Sequence, residues 1–150
     1  MASDFDPTIA ARLVELIVLG KDDGRTVEQL AIADLGAGRL IAIFDSPALV
    51  SGDLVGKVCE FRLSAFLPKV RTAALGQYSV RSWTRSKPIS IHNPGLSGKV
   101  LGYENNHMVL EVQGGSIRAF IEPGDRVEIG SFVLLSDFRL DRRGEVIPLR

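Results

Sequence analysis

The sequence predicts a mainly all-β chain: two small β-barrels joined by a basic linker. Three observations predict it. Short stretches alternate apolar and polar residues between glycine-containing turns. One phrase occurs twice. A central block carries bases and no acids. The alternation is clearest in the C-terminal half. Met108, Leu110 and Val112 face one way, with Glu111 and Gln113 opposite. Ile117, Ala119 and Ile121 alternate with Arg118, Phe120 and Glu122, and Ser136, Phe138 and Leu140 alternate with Asp137, Arg139 and Asp141. A period of two places one face on a core and the other in water.

The repeated phrase is "VSGDLVGKVCEFRLSAF" and, later, "EPGDRVEIGSFVLLSDF". Ser51–Leu67 aligns without gaps on Pro123–Arg139, with identities that include Gly52/Gly124, Asp53/Asp125, Val55/Val127, Ser64/Ser136 and Phe66/Phe138. Upstream, "GRLIAIFD" (38–45) aligns on "GSIRAFIE" (115–122), and the first copy then carries the extra residues 46–50. Repeats reset the expectation for the whole fold, and two copies point to duplication of one small unit. Gly52 and Gly124 are expected at equivalent corners, and Phe66 and Phe138 at equivalent core positions. The expected core comprises Phe61, Leu63, Phe66, Leu110, Val112, Val133, Leu135 and Phe138.

Taken in order, the chain opens on a segment with two readings. Asp6 as N-cap, Pro7 at the first helical position and Gly20 as a stop fit a short helix over 7–19. The branched run "LVELIVL" and the turn "GKDDGR" fit a strand from about Leu13, which is the favoured reading. "LGAG" (35–38) reads as a turn. "QGGS", "EPGD" and "DRRGE" supply further turns, the last a hairpin before Val146 and Ile147. The resulting boundaries are 1–75 for the first barrel, 76–97 for the linker and 98–150 for the second barrel.

The stretch "GKVLGYENNHMVLEVQGGSIRAFIEPGDRVEIGSFVLLSDFRL" resembles the layout of OB-fold-like small barrels. There a Gly-x-Val strand is followed by a hairpin, a connection, and a strand opened by Gly-Asp-x-Val. The resemblance covers Gly98–Leu140 and, more weakly, Leu13–Leu67. No helix is evident between the third and fourth strands, where many OB-folds carry one, so an SH3-like barrel stays open. The resemblance implies binding of single-stranded nucleic acid or oligosaccharide, or docking of a protein. It carries over no site residue, because no family motif is matched.

Composition narrows the classes. Hydrophobic residues make up 45 % of the chain and the formal net charge is zero, so there is ample core and no global attraction to polyanions. No apolar run reaches the roughly 18 residues of a membrane span. The start, "MASDFDP", lacks the basic and apolar regions of a secretory leader. The single cysteine, Cys59, forms no internal disulfide and reads as a small core residue. A cytoplasmic protein without membrane association is expected. His92 and His107 sit in a loop and a turn, and no metal-ligand spacing, Walker loop, dinucleotide fingerprint or nucleophile elbow occurs. No catalytic residue, metal or cofactor is expected.

What remains is charge distribution. Residues 1–60 hold ten acids and five bases, residues 61–103 seven bases and no acid, and residues 104–150 eight acids and six bases. In the basic block Lys69, Arg71, Arg81, Arg85 and Lys87, with Lys99 further along it, surround Tyr78 and the only tryptophan, Trp83. Basic groups contact phosphates while aromatic faces stack on bases. These eight residues are the candidates for a single-stranded DNA or RNA site, with Trp83 as stacking platform between Arg81 and Arg85. The competing reading is an interaction or assembly module, with Trp83 anchoring the linker and the protein docking a partner or itself. A small-molecule-binding module is a third class.

Overall fold

The computed structural model of the chain describes residues 6–73 and 76–149. The fold is all-β. Ten strands follow in order: β1 (Ile9–Asp22), β2 (Arg25–Asp34), β3 (Leu40–Asp45), β4 (Val58–Phe66), β5 (Lys69–Thr72), β6 (Val80–Arg81), β7 (His92–Glu104), β8 (His107–Val112), β9 (Gly115–Phe120) and β10 (Phe132–Pro148). No helix among the described residues is long and apolar enough to cross a membrane.

The helix expected as one reading of 7–19 does not form. The branched residues of "LVELIVL" lose side-chain freedom in a helix and pack well on a pleated surface, and β1 instead pairs along its length with β2. Their turn is Asp23-Gly24, both with positive φ (50° and 75°), the geometry that matches the twist of a two-residue hairpin. "DRRGE" is not a hairpin either. β10 runs on through it, with Gly144 at φ 66° and a register irregularity between Arg143 and Ile147 against β4. A glycine bulge absorbs the extra residues, so the strand bends without reversing.

Pairing closes a ring of eight strands in the order β1-β2-β3-β10-β7-β8-β9-β4. β4 and β10 also pair across it, from Leu140↔Ala65 to Pro148↔Cys59. Two five-stranded circuits result, β1-β2-β3-β10-β4 and β7-β8-β9-β4-β10, sharing β4 and β10. In each circuit the borrowed strand runs parallel to its neighbour, β10 beside β3 (Ile43↔Leu140) and β4 beside β9 (Ala119↔Ala65). Gly52 and Gly124 each lie in a single 3-10 turn, Gly52–Leu54 and Pro123–Asp125, upstream of β4 and β10 respectively.

One apolar cluster fills both circuits. It includes Phe61, Leu63, Leu110, Val112, Val133, Leu135 and Phe138 as expected. Phe66 is a correction: it is 48 % exposed. The expected equivalence of Phe66 and Phe138 therefore fails. β4 alternates without a break, burying Phe61, Leu63 and Ala65. In β10 Asp137 takes a left-handed φ of 58°, and the buried phase changes from Val133 and Leu135 to Phe138 and Leu140. Of these two strands only β10 changes phase.

Close backbone approach fixes where β7 crosses β8. A Cβ added at Gly98 would lie 2.0 Å from the Glu111 carbonyl oxygen and 3.0 Å from a Val112 methyl. The obstacle is backbone, so it cannot swing aside. Gly98→Ala is expected to lose at least the roughly 1–3 kcal/mol of an overpacked core, read as a lowered urea midpoint. A wild-type midpoint would show that β7 and β8 separate there without penalty.

Within the expected linker 76–97, segment 82–91 lies across the outer face of β2 and β3. Trp83 joins Leu30, Ile32 and Ala42 in a small buried cluster, flanked by Ile17, Leu40, Phe44, Ile89 and Ile91. The Trp83 amide donates to Leu40 O at 2.8 Å, and its indole N–H donates to Ser90 O at 2.9 Å. Asn93, buried, clips the end of the segment to β3: its Nδ2 donates to Ala42 O and its Oδ1 accepts from Ala42 N, both at 2.8 Å.

Candidate nucleic-acid interface

β5, β10, β7 and β6 form a four-stranded patch on which most of the candidate residues meet. Lys69 pairs with Ser136, Ser136 with Gly95, and Gly95 with Arg81. Arg71 pairs with Leu134 and Leu134 with Ser97, while Phe132 pairs with Lys99. Residues in register across neighbouring strands present their side chains to the same face. The intervening Val70, Leu135, Leu96 and Val80 pack on the core, so the face bearing Lys69, Arg71, Arg81 and Lys99 is the outer one. Lys69, Arg71 and Arg81 are exposed, and Lys99 is half-buried.

Small and polar residues keep the surface between these bases low. The Ser79 and Ser97 hydroxyls lie 2.7 Å apart, Ser79 N donates to Ser97 Oγ at 2.9 Å, and Ser97 Oγ donates to Gln77 O at 3.2 Å. An open recess of about 380 Å³ is lined by Arg71, Gln77, Ser79, Ser97 and Leu134 among others. Tyr78 stands at its side, 40 % exposed, its ring edge-on to Phe132 at 5.1 Å. The Tyr78 hydroxyl donates to Glu111 at 2.5 Å, and this bond, more than partial burial and the carboxylate charge, raises the phenol above its ordinary range. The phenol thus stays neutral. A second recess of about 480 Å³ runs from Tyr78 along Glu111, Val112, Gln113 and Gly115.

Acids are few on this patch. Asp137 lies 3.7 Å from Lys69, with both side chains largely exposed, an arrangement of little energetic weight in water. Glu111 is engaged by Tyr78. Glu111 also lies in register with Lys99, so four bases on this face stand against two carboxylates, and Lys69, Arg71 and Arg81 are the exposed ones.

The remaining candidates are elsewhere. Trp83, Arg85 and Lys87 belong to the segment covering β2 and β3. Trp83 is only 3 % exposed, so the expected stacking platform is unavailable: its faces are spent on Leu30 and Ile32. Arg85 pairs with Glu15 of β1, and Lys87 is exposed on the same segment. Of the eight candidates, Lys69, Arg71, Tyr78, Arg81 and Lys99 share a face and three do not. Residues not singled out in the sequence complete that face: Gln77, Ser79, Ser97, Phe132 and Leu134. Nothing local marks them, because they meet only through the pairing of β10 with β5 and β7.

Comparison with protein-family models, curated proteins and solved structures finds no match for this chain.

Proposed function

We propose that the protein is a non-enzymatic binding protein that takes single-stranded DNA or RNA across the outer face of β5, β10, β7 and β6. The observation carrying this reading is the convergence of Lys69, Arg71, Arg81 and Lys99 beside the accessible ring of Tyr78. Bases on adjacent strands track a phosphate backbone, and an aromatic face accepts one base at about 1–3 kcal/mol whatever its identity. The OB-fold-like pattern of Gly98–Leu140 supports the same reading. So does the arrangement of each circuit, in which three consecutive antiparallel strands are completed by two shared ones. In this proposal the two halves are copies of one OB-like unit that exchange their final strands, and the chain acts in the cytoplasm.

The test is binding of a labelled single-stranded oligonucleotide across a salt series. Four phosphate contacts give a slope of log K on log salt of about −2.8 for a single strand. Arg71→Ala is expected to reduce its magnitude by about 0.7, and Arg85→Ala to leave it unchanged. Tyr78→Ala is expected to weaken binding by a stacking-sized amount at constant slope. Absence of binding at low salt, or equal slopes for wild type and Arg71→Ala, would remove nucleic acid as the ligand.

A second reading, a protein-docking or self-association module, is favoured by β5. This short edge strand has all its ladder partners in β10, leaving its other edge to receive a strand. Association through that edge is distinguished by its weak dependence on salt and by a mass increase in sedimentation.

A further inference from the structure

A different cluster of bases gathers where β4, β9 and β10 meet. Arg143 of β10 lies opposite Arg62 of β4, and Ser64 of β4 lies opposite Arg118 of β9. Ser64 is two residues from Arg62 on the same face. Partners in register have Cβ atoms about 5 Å apart, and Asp141 of β10 is also opposite Ser64, so three arginines and one carboxylate surround the serine hydroxyl. None of them belongs to the face described above.

Three carboxylates among the described residues enter the cluster, and each is committed. Asp6 accepts from Arg62 Nε at 3.1 Å, and Glu104 pairs with Arg118 at 3.1 Å. Asp141, opposite Ser64 on β10, accepts from Arg139 Nε and Nη2 at 2.6 and 3.0 Å. Arg143 pairs with none of the three. Its Nε and Nη2 are buried without a hydrogen-bond partner among the described residues, and so is Ser64 Oγ. Nε and Nη2 form one edge of the guanidinium, the fork that holds an oxyanion by two parallel hydrogen bonds. Burial pushes Arg143 below its ordinary range. Arg118 and Arg62 push the same way, against Asp6 and Glu104. His107 at the start of β8 is also held below its ordinary value, by burial and then by Arg118 and Arg143, so it is neutral at pH 7 and the positive charge rests on the arginines.

A dry, unpaired guanidinium edge beside two like charges is unfavourable. One added anion would satisfy the fork and the serine hydroxyl together. A planar carboxylate offers oxygens in one plane, whereas bases converging from three strands call for acceptors in several directions. We infer that Arg143, with Arg62, Ser64 and Arg118, forms a binding site for a tetrahedral oxyanion of the phosphate type. Arg143 as a whole is only partly buried, so rotation of its own side chain suffices to open the edge, and the strands stay paired.

Inorganic phosphate is the probe, titrated into the full chain by calorimetry and by thermal unfolding against chloride at matched ionic strength. Wild type is expected to bind and to unfold at higher temperature in phosphate. Arg143→Met removes the fork together with an unpaired buried charge; it is expected to fold normally in chloride and to lose the phosphate response. Arg143→Lys keeps the charge without the fork and should weaken phosphate about ten- to a hundred-fold. Arg71→Ala should respond as wild type does. The phosphate could be free or carried on a nucleic acid. Loss of the response in Arg143→Met with unchanged oligonucleotide binding assigns the site to a free anion. Loss of both assigns it to a nucleic-acid phosphate. No response in wild type, or an equal one in Arg143→Met, overturns the site.

Discussion

Asp45→Ala is expected to cost about 3–5 kcal/mol of folding stability, the loss that follows when one member of a buried ion pair is removed. Asp45 ends β3 and is wholly buried. Its carboxylate accepts from Gln29 Nε2 at 2.8 Å, from the amides of Leu49 and Val50 at 3.1 and 2.9 Å, and from Arg142 Nε at 2.5 Å. The Arg142 side chain is 5 % exposed and also donates to Gly144 O and Pro47 O. One carboxylate thus fastens β2, the 46–50 turn and the bulge of β10 to the end of β3. Without it a guanidinium, a side-chain amide and two backbone amides each lose an acceptor, and the buried Gln29 and Arg142 side chains lose it where water is largely excluded. Urea unfolding measures the loss. Arg142→Met in the Asp45→Ala background should recover part of it, because the orphaned charge is gone. A loss below about 1 kcal/mol in Asp45→Ala would show that these donors find water instead.

The residues 46–50 that interrupt the sequence repeat are therefore the loop that wraps this carboxylate. That role was not legible, since Arg142 lies 97 residues away in the chain. Alternation was legible wherever a strand has one face in water, as in β4 and β9, and the Asp-Gly turn between β1 and β2 announced itself through its need for positive φ. The cover over β2 and β3 left a subtler trace. Leu30, Ala31, Ile32 and Ala33 are consecutive and all buried, and an unbroken apolar run means a strand covered on both faces. Its partner, 82–91, hid that role because Trp83, Ile89 and Ile91 follow no period among serines and prolines. The basic block was visible as composition. Which of its members share a face depended on β10 pairing with both β5 and β7, and contacts between distant strands leave no local pattern.

Phe138→Ala should likewise cost about 3–5 kcal/mol, whereas Phe66→Ala should cost no more than about 1.5 kcal/mol. The two residues occupy matching places in the repeated phrase, so equal losses would follow if sequence equivalence governed. Phe138 is fully enclosed in the shared core, and truncation leaves a cavity between two circuits that both depend on β10. Phe66 stands on the outer surface. Its ring lies 6.2 Å from that of Phe120, with the Arg139 guanidinium 5.4 Å from its centre. Those contacts carry the small energies of an exposed aromatic pair and an exposed cation over a ring. The difference traces to Asp137, whose left-handed backbone turns the side chains after it by one position. Asp137→Gly should accept that conformation without strain and leave Phe138 in place, while Asp137→Val, with a branched side chain where φ is positive, should destabilise the chain. Equal losses for Phe66→Ala and Phe138→Ala would mean that the phase change at Asp137 does not occur and that the two halves match residue for residue.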